Sequence, residues 1–378
     1  YMNIFKSFLR SIILIIILFN FFSTLHAKNI SKFNDEKQIS NYFSGVLLFN
    51  ENQYDTSYKF LKKLDGLETL HPDYIQKYLY TLINNGKFKE AASYAVKLEN
   101  KNLDIYESNL ILGIYYLKSN KPNISKKYFH KVEKQTSSFP LDQFVSNSLL
   151  NWSSLDKLSF KSAEKKINSL DNKFKNLKKV QNAFLNCFYQ TPNTELLYEK
   201  LNTDKTSDFS RYDYFYIKYL ISQEKVEKAK IVVNESVKKF PRNLLLNQLR
   251  FDLINNKSNS KNDFNCTNQS HIIAEIFYIA ANALSQQSLF KMSNFYLNLA
   301  KNLNPTFQAF DTLLAENFYK TENYNLAKGI YDKIKNQGSE FLWFSAKQKA
   351  KILIKEKEKA KAIDLIRKSF KKISNIDI

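Results

Sequence analysis

Glycine is scarce: the 378 residues hold six, at 45, 66, 86, 113, 329 and 338. No two lie close enough for G-x-G or for a loop that cradles phosphate, so nucleotide binding of that kind is excluded. The two cysteines, Cys187 and Cys266, are too few for a disulfide framework, and sequence alone leaves open whether they pair or stay as buried thiols. Residue 28, directly after Ala27, is lysine and not cysteine, so a lipid anchor at the expected cleavage site is not expected. The four histidines, His26, His71, His130 and His271, are dispersed, and none has a helical i, i+4 partner or a neighbouring thiol and carboxylate set for zinc. There is no G-x-S-x-G, and Cys187 sits in an apolar stretch, Ala183 to Phe188, where a core thiol is expected. No catalytic residue, metal ligand or cofactor is therefore expected. Arginine is also rare. Only five of 57 basic residues are arginine, at 10, 211, 242, 250 and 367, although phosphate and base readout favour its planar fork. The net charge of +21 thus reflects lysine content, and dedicated nucleic-acid binding is not expected.

What the chain does have is apolar and aromatic substance, 44% and 15% of residues, enough for a large core. Residues 2–27 read as an export signal: Lys6 and Arg10 are followed by apolar Ile12 to Phe22, then Leu25-His26-Ala27 as a cleavage site before Lys28. The apolar stretch is about 15 residues, short of the ~20 that span a bilayer. Export to the periplasm of a Gram-negative bacterium is expected.

The organising signal is a repeat of 34 residues. Ser57, Ala91 and Ser125 share one column; so do Gly45, Leu79 and Gly113, then Leu48, Leu82 and Tyr116, then Leu61, Ala95 and Phe129, then Leu64, Leu98 and Val132. The small column returns at Ala229, Ser293, Ala327 and Ala362. Apolar residues at spacings of three and four, such as Leu112, Tyr115 and Tyr116, then Tyr128, Phe129 and Val132, mark one face of each of two helices. A small residue lets the two approach closely. Turns are expected at Asn84-Asn85-Gly86, Ser119-Asn120-Lys121-Pro122 and Thr321-Glu322-Asn323, and all six prolines fall at helix starts or turns. The fold class is all-α.

These columns resemble the tetratricopeptide repeat (TPR) family, with Leu112-Gly113-x-x-Tyr116, Ser125, Phe129 and Val132 as the best copy. The early Trp column of that family is not kept. The resemblance implies a right-handed superhelical solenoid of antiparallel helix pairs, with one helix of each pair lining a concave groove. The expected organisation is a signal at 1–27, a repeat array at 28–139, divergent helical repeats at 140–205, and a second array at 206–378. In the divergent part Ala163, Ile167 and Leu170 form a shifted second helix, and near 255–270 the second array carries a polar loop after a helix from Leu244 to Ile254.

The family resemblance implies a groove that holds a protein or peptide segment. In this frame its lining is Tyr42, Val46 and Phe49, then Gln76, Tyr80 and Ile83, then Leu110, Ile114 and Leu117. That surface is aromatic and aliphatic with little charge, suited to an extended apolar segment. The opposing reading is that these side chains pack on a neighbouring helix. The lysine pattern by which chaperone-binding relatives clamp a carboxylate is absent, since its first positions are Tyr42 and Val46. From Trp343 onward lysines crowd the chain, either as the solvated face of a capping helix or as a patch for a membrane surface or another anionic envelope component. A catalytic rival, the helical superhelix of a cell-wall lytic transglycosylase, would need a Glu-Ser motif in an appended domain. The pair Glu107-Ser108 falls inside a repeat instead.

Overall fold

A computed structural model describes residues 36–137, 139–155, 158–257 and 261–374. The expected export signal at 2–27 lies outside the described residues. Among these, every regular element is helical: nineteen α-helices, a few single 3-10 turns, and one isolated antiparallel bridge between Asn262 and Phe307. None is long and apolar enough to cross a membrane. The chain forms two compact units that meet at Tyr74 and Ile75; the segment limits expected at 139 and 205 do not coincide with that boundary.

The first unit contains one helix pair, α1 (Glu36–Asn50) and α2 (Tyr54–Leu61). Gly45 is where they touch. A Cβ there would come within 2.5 Å of Leu61, so the small residue sets the approach of the two backbones. The buried Ser57 hydroxyl then donates to the Gly45 carbonyl at 2.8 Å, clasping the second helix to the first.

The second unit repeats that construction. Its pairs are α3 (Asp73–Asn84) with α4 (Phe88–Asn100), α5 (Tyr106–Lys118) with α6 (Pro122–Lys134), α7 (Pro140–Trp152) with α8 (Phe160–Asn168), and α9 (Lys175–Phe188) with α10 (Thr194–Thr203). After α11 (Ser210–Ser222) and α12 (Val226–Lys239) comes an unpaired α13 (Leu244–Ile254). The last pairs are α14 (Gln269–Gln286) with α15 (Phe290–Leu303), α16 (Phe310–Lys320) with α17 (Tyr324–Ile334), and α18 (Ser339–Lys355) with α19 (Lys359–Ser374). Gly113 repeats the role of Gly45: a Cβ would meet the Phe129 ring at 2.3 Å, and Ser125 donates to the Gly113 carbonyl at 2.7 Å. Ser293 does the same to the Ala281 carbonyl at 2.7 Å. Ala91, Ala229 and Ala327, in the same column, have no exposed surface. The fold is an all-α solenoid of tetratricopeptide-like helix pairs.

The turns carry the same period. Asn52, Gly86 and Asn120 have positive φ, 34 residues apart, as do Gln190 and Glu224, then Ser288 and Glu322, in the later pairs. A single left-handed residue reverses the chain between the two helices of a pair. Pro122 and Pro140 each open a helix in its first turn, where no amide partner is lost.

Within the second unit the array turns back on itself. Helix α14 packs on α7, and α15 packs on α5. The rings of Tyr80 on α3 and Phe295 on α15 stack at 4.4 Å and 16°. The Tyr106 and Tyr296 hydroxyls meet at 3.2 Å, Asn298 donates to Asn84 at 3.0 Å, and the Lys118 ammonium donates to the Asn302 carbonyl at 2.6 Å.

Candidate functional site

The residues expected to line one groove fall in different settings. In the first unit Phe49 is buried, Val46 is half-buried, and the half-buried Tyr42 hydroxyl bonds the His71 ring at 2.6 Å. The exposed apolar stripe of α1 is a different set, Ile39, Phe43 and Leu47, spaced i, i+4 and i+8. In the second unit Gln76 is exposed and donates to Glu107 at 2.6 Å, and Leu117 is half-buried. Tyr80, Ile83, Leu110 and Ile114 are all buried. For these four the groove reading is corrected to core packing, because an aromatic and aliphatic face is best removed from water; over Tyr80 the Phe295 ring of α15 is part of the cover. Burial also raises the Tyr80 phenol well above its ordinary range and pushes the Glu107 carboxyl upward, against the hydrogen bonds that Gln76 and Tyr80 donate to it.

An open concavity lies elsewhere in the second unit. A cavity of about 690 Å³ is bounded by the starts of α9, α11, α13, α16 and α18 and by the middle of α14. Its apolar lining includes Leu177, Phe209, Leu244, Tyr278, Ile279 and Phe341; its polar lining includes the amides Asn176, Asn243, Asn282 and Gln286 and the carboxylate Asp208. Arg211 stands in its wall. The guanidinium donates through Nε and Nη2 to the two oxygens of Glu275, at 2.6 and 2.7 Å, and lies 3.6 Å from the centre of the Tyr278 ring. Glu275 is 1% exposed, so this is a buried, two-point ion pair that ties α11 to α14. Burial pushes the Glu275 carboxyl upward while Arg211 draws it back. Glu275 offsets the Arg211 charge, and Asp208 adds one carboxylate to the lining.

Next to this cavity the chain places part of itself. A second, smaller cavity of about 330 Å³ shares Leu245 and Phe341 with the first, and Asn262 stands in its wall. Around Asn262 the polar loop runs extended: the Lys261 carbonyl accepts from the Gln308 amide at 3.2 Å, the Asn262 carbonyl from Tyr214 at 2.6 Å, and the Asp263 carbonyl from Asn304 at 3.0 Å. The Asn262 side chain accepts from the Ala309 amide at 2.8 Å and donates to Gln337 at 3.0 Å. Phe264 then stacks on Phe215 at 4.0 Å beside Phe184. Two residues further on, Cys266 is disulfide-bonded to Cys187 of α9, with Cα atoms 5.8 Å apart.

Among the described residues no group of three metal-ligating side chains comes together. His271 caps the loop by accepting from the Asn265 amide, and His130 faces Glu133 on the surface, so neither enters the cavity. Sequence reasoning passed over Arg211 and Glu275. A signal was present: one of five arginines, and a lone carboxylate inside the apolar run Ile272 to Leu284. Pairing them required knowing that helices 64 positions apart in sequence adjoin.

No protein-family profile matches the chain, and no curated protein matches it either. Solved structures with some likeness are those of Naa15/Naa10 bound to HypK-THB (15% identity, TM-score 0.34) and of the APC/C hetero-tetramer Cut9-Hcn1 (14%, 0.31). A third is the TPR domain of P58(IPK) (13%, 0.27). The matches cover 87%, 89% and 89% of this chain, and 57%, 57% and 97% of the respective structures. The chain therefore spans little more than half the length of the first two.

Proposed function

We propose that this chain is an exported, non-catalytic tetratricopeptide-like scaffold that holds an extended segment of a partner protein in the cavity walled by α11, α14 and α16. One observation carries the reading. The chain's own segment 261–264 already lies extended beside that cavity, with three successive carbonyls hydrogen-bonded and its phenylalanine seated among aromatic rings. The adjoining cavity offers the same chemistry unfilled by that segment: amide side chains that can pair with a peptide backbone, and the half-buried Leu244, Tyr278 and Ile279 to anchor an apolar side chain. Its size falls in the range of about 300–1,000 Å³ typical of binding pockets. Export is supported by the Cys187–Cys266 bond, since disulfides persist in oxidising compartments. A photo-crosslinker at Asn282 is expected to capture one partner polypeptide that the same group at Lys230, on α12, does not. Tyr278→Ser should then weaken capture about tenfold. Equal capture from both positions would overturn the reading.

A further inference from the structure

The end of the second unit presents a surface that the cavity does not explain. Helices α18 and α19 and the turn between them, residues 339–374, carry ten lysines and one arginine against four acids, Glu340, Glu356, Glu358 and Asp364. Three of those acids are engaged: Glu356 by Lys328, Glu358 by Lys361 and Asp364 by Lys368. Lys351, Lys355, Lys359, Arg367 and Lys372 are exposed and have no ion-pair partner among the described residues. A solvated capping helix accounts for such charges. It does not account for the apolar side chains set among them: Ile354 is 58% exposed, Ile363 44% and Phe370 62%. Ile363, Ile366 and Phe370 fall at i, i+3 and i+7, on one stripe of α19. Phe370 meets Trp343 of α18 at 6.4 Å between ring centres, and the Lys347 ammonium lies 5.6 Å from the centre of the Trp343 ring. The two antiparallel helices thus share a face of aromatic and aliphatic groups bordered by long cationic stems.

We propose that this face docks on an anionic phospholipid surface. Exposed Phe and Ile flanked by Lys match the boundary between headgroups and acyl chains, where the apolar groups enter and the lysine stems reach back to the phosphates. Charge selects this occupant over the others. Two copies meeting face to face would oppose a net charge of about +7 to itself. Nucleic acid would call for arginine forks, and the face has one arginine. The inference stands apart from the cavity reading, because neither helix contributes to this face the residue, Phe341, that α18 gives to the cavity.

The test uses the full chain with two vesicle preparations, phosphatidylcholine alone and phosphatidylcholine mixed with phosphatidylglycerol. Co-sedimentation is expected only with the anionic vesicles and is expected to fall steeply with added salt. In a Trp152→Phe background, Trp343 emission should shift to the blue on binding. Reversing three cations (Lys355→Glu, Lys359→Glu, Arg367→Glu) should weaken binding about a hundredfold. Ile363→Ser with Phe370→Ser should abolish the emission shift, with helicity by circular dichroism unchanged in both variants. Absence of binding to anionic vesicles, or equal binding by the charge-reversed variant, would overturn the proposal. So would a self-association in the absence of vesicles that Phe370→Ser abolishes, which would assign the face to a second copy of the chain.

Discussion

Left-handed residues at the turns show how little freedom a single position has in this molecule. Asn is well suited to positive φ, and Asn52, Asn120 and Asn256 use it; Glu224, Glu322 and Lys357 hold the same conformation without that advantage. The repeat geometry imposes it, because helix packing on both sides fixes where the chain must reverse. Glu322→Gly should therefore stabilise the protein, by about 0.5–1 kcal/mol after the greater freedom of an unfolded glycine is set against the relieved strain. Urea unfolding of the two proteins would measure it; a loss of stability would show that the Glu322 side chain makes contacts that matter more. At this scale the sequence was legible only in part. Gly86 and Asn120 announce turns by residue type, whereas Glu224 and Lys357 do not, and only their place in the 34-residue frame identifies them. Arg211 and Glu275 lay further out of reach, since nothing local says that two residues on separate helices share a bidentate contact.

Among elements, the hairpin is the unit whose sequence speaks most plainly. Small residues at 45, 57, 113, 125 and 293 mark close approach, and there the helices touch, with serine hydroxyls clasping the opposite carbonyl. Even the divergent stretch kept its shifted helix, with Ala163 and Ile167 buried on α8. The expected helix over Leu244 to Ile254 is also present. Joints between hairpins are less legible because they rest on charged side chains that any surface could carry. One such joint links α10 to α12: Lys225 and Lys228 hold Glu195, and Lys228 also reaches Glu199. Hydrogen bonds from Lys225 and Lys228 hold the Glu195 carboxyl below its ordinary range, and Lys179 does the same to Asp204. Because the folded state releases these protons more readily than the unfolded chain, their contribution is complete above about pH 5, begins to fall near pH 4 and is lost only as pH drops through the lowered folded-state values. Acid unfolding of the Lys225→Met, Lys228→Met variant should show a shallower loss of stability over that range. An unchanged acid limb would mean that Glu195 gains nothing from its two lysines.

At the scale of the whole molecule, the expectation of a stacked solenoid was correct, while Tyr80, Ile83, Leu110 and Ile114, expected on an open groove, are buried. Periodicity reports which residues a helix buries, but it cannot say whether the cover is a neighbouring repeat, a distant helix or a partner. Tyr80 and Leu110 satisfy the pattern of a groove lining and are buried, and Tyr80 stacks on Phe295 of α15, 215 positions later. The Cys187–Cys266 bond closes a loop of similar ambiguity: it joins α9 to the segment that runs extended beside the cavity. Cys187→Ser with Cys266→Ser should lower stability by about 2–5 kcal/mol. Hydrogen exchange at residues 261–266 should accelerate more than exchange in α5 and α6; uniform acceleration would show that the bond secures the entire unit and not the segment.

The seat of α15 on α3 and α5 also bears on how the chain reaches its native state. An open row of repeats can grow from any nucleus by adding neighbours, and can fray from either end. Here Tyr106 waits for Tyr296, 190 positions later, and Asn84 for Asn298, 214 positions later. Contacts that distant slow assembly and bind its completion to synthesis of the later helices, so that the early repeats, their aromatic side uncovered until then, are the part a nascent chain must shield.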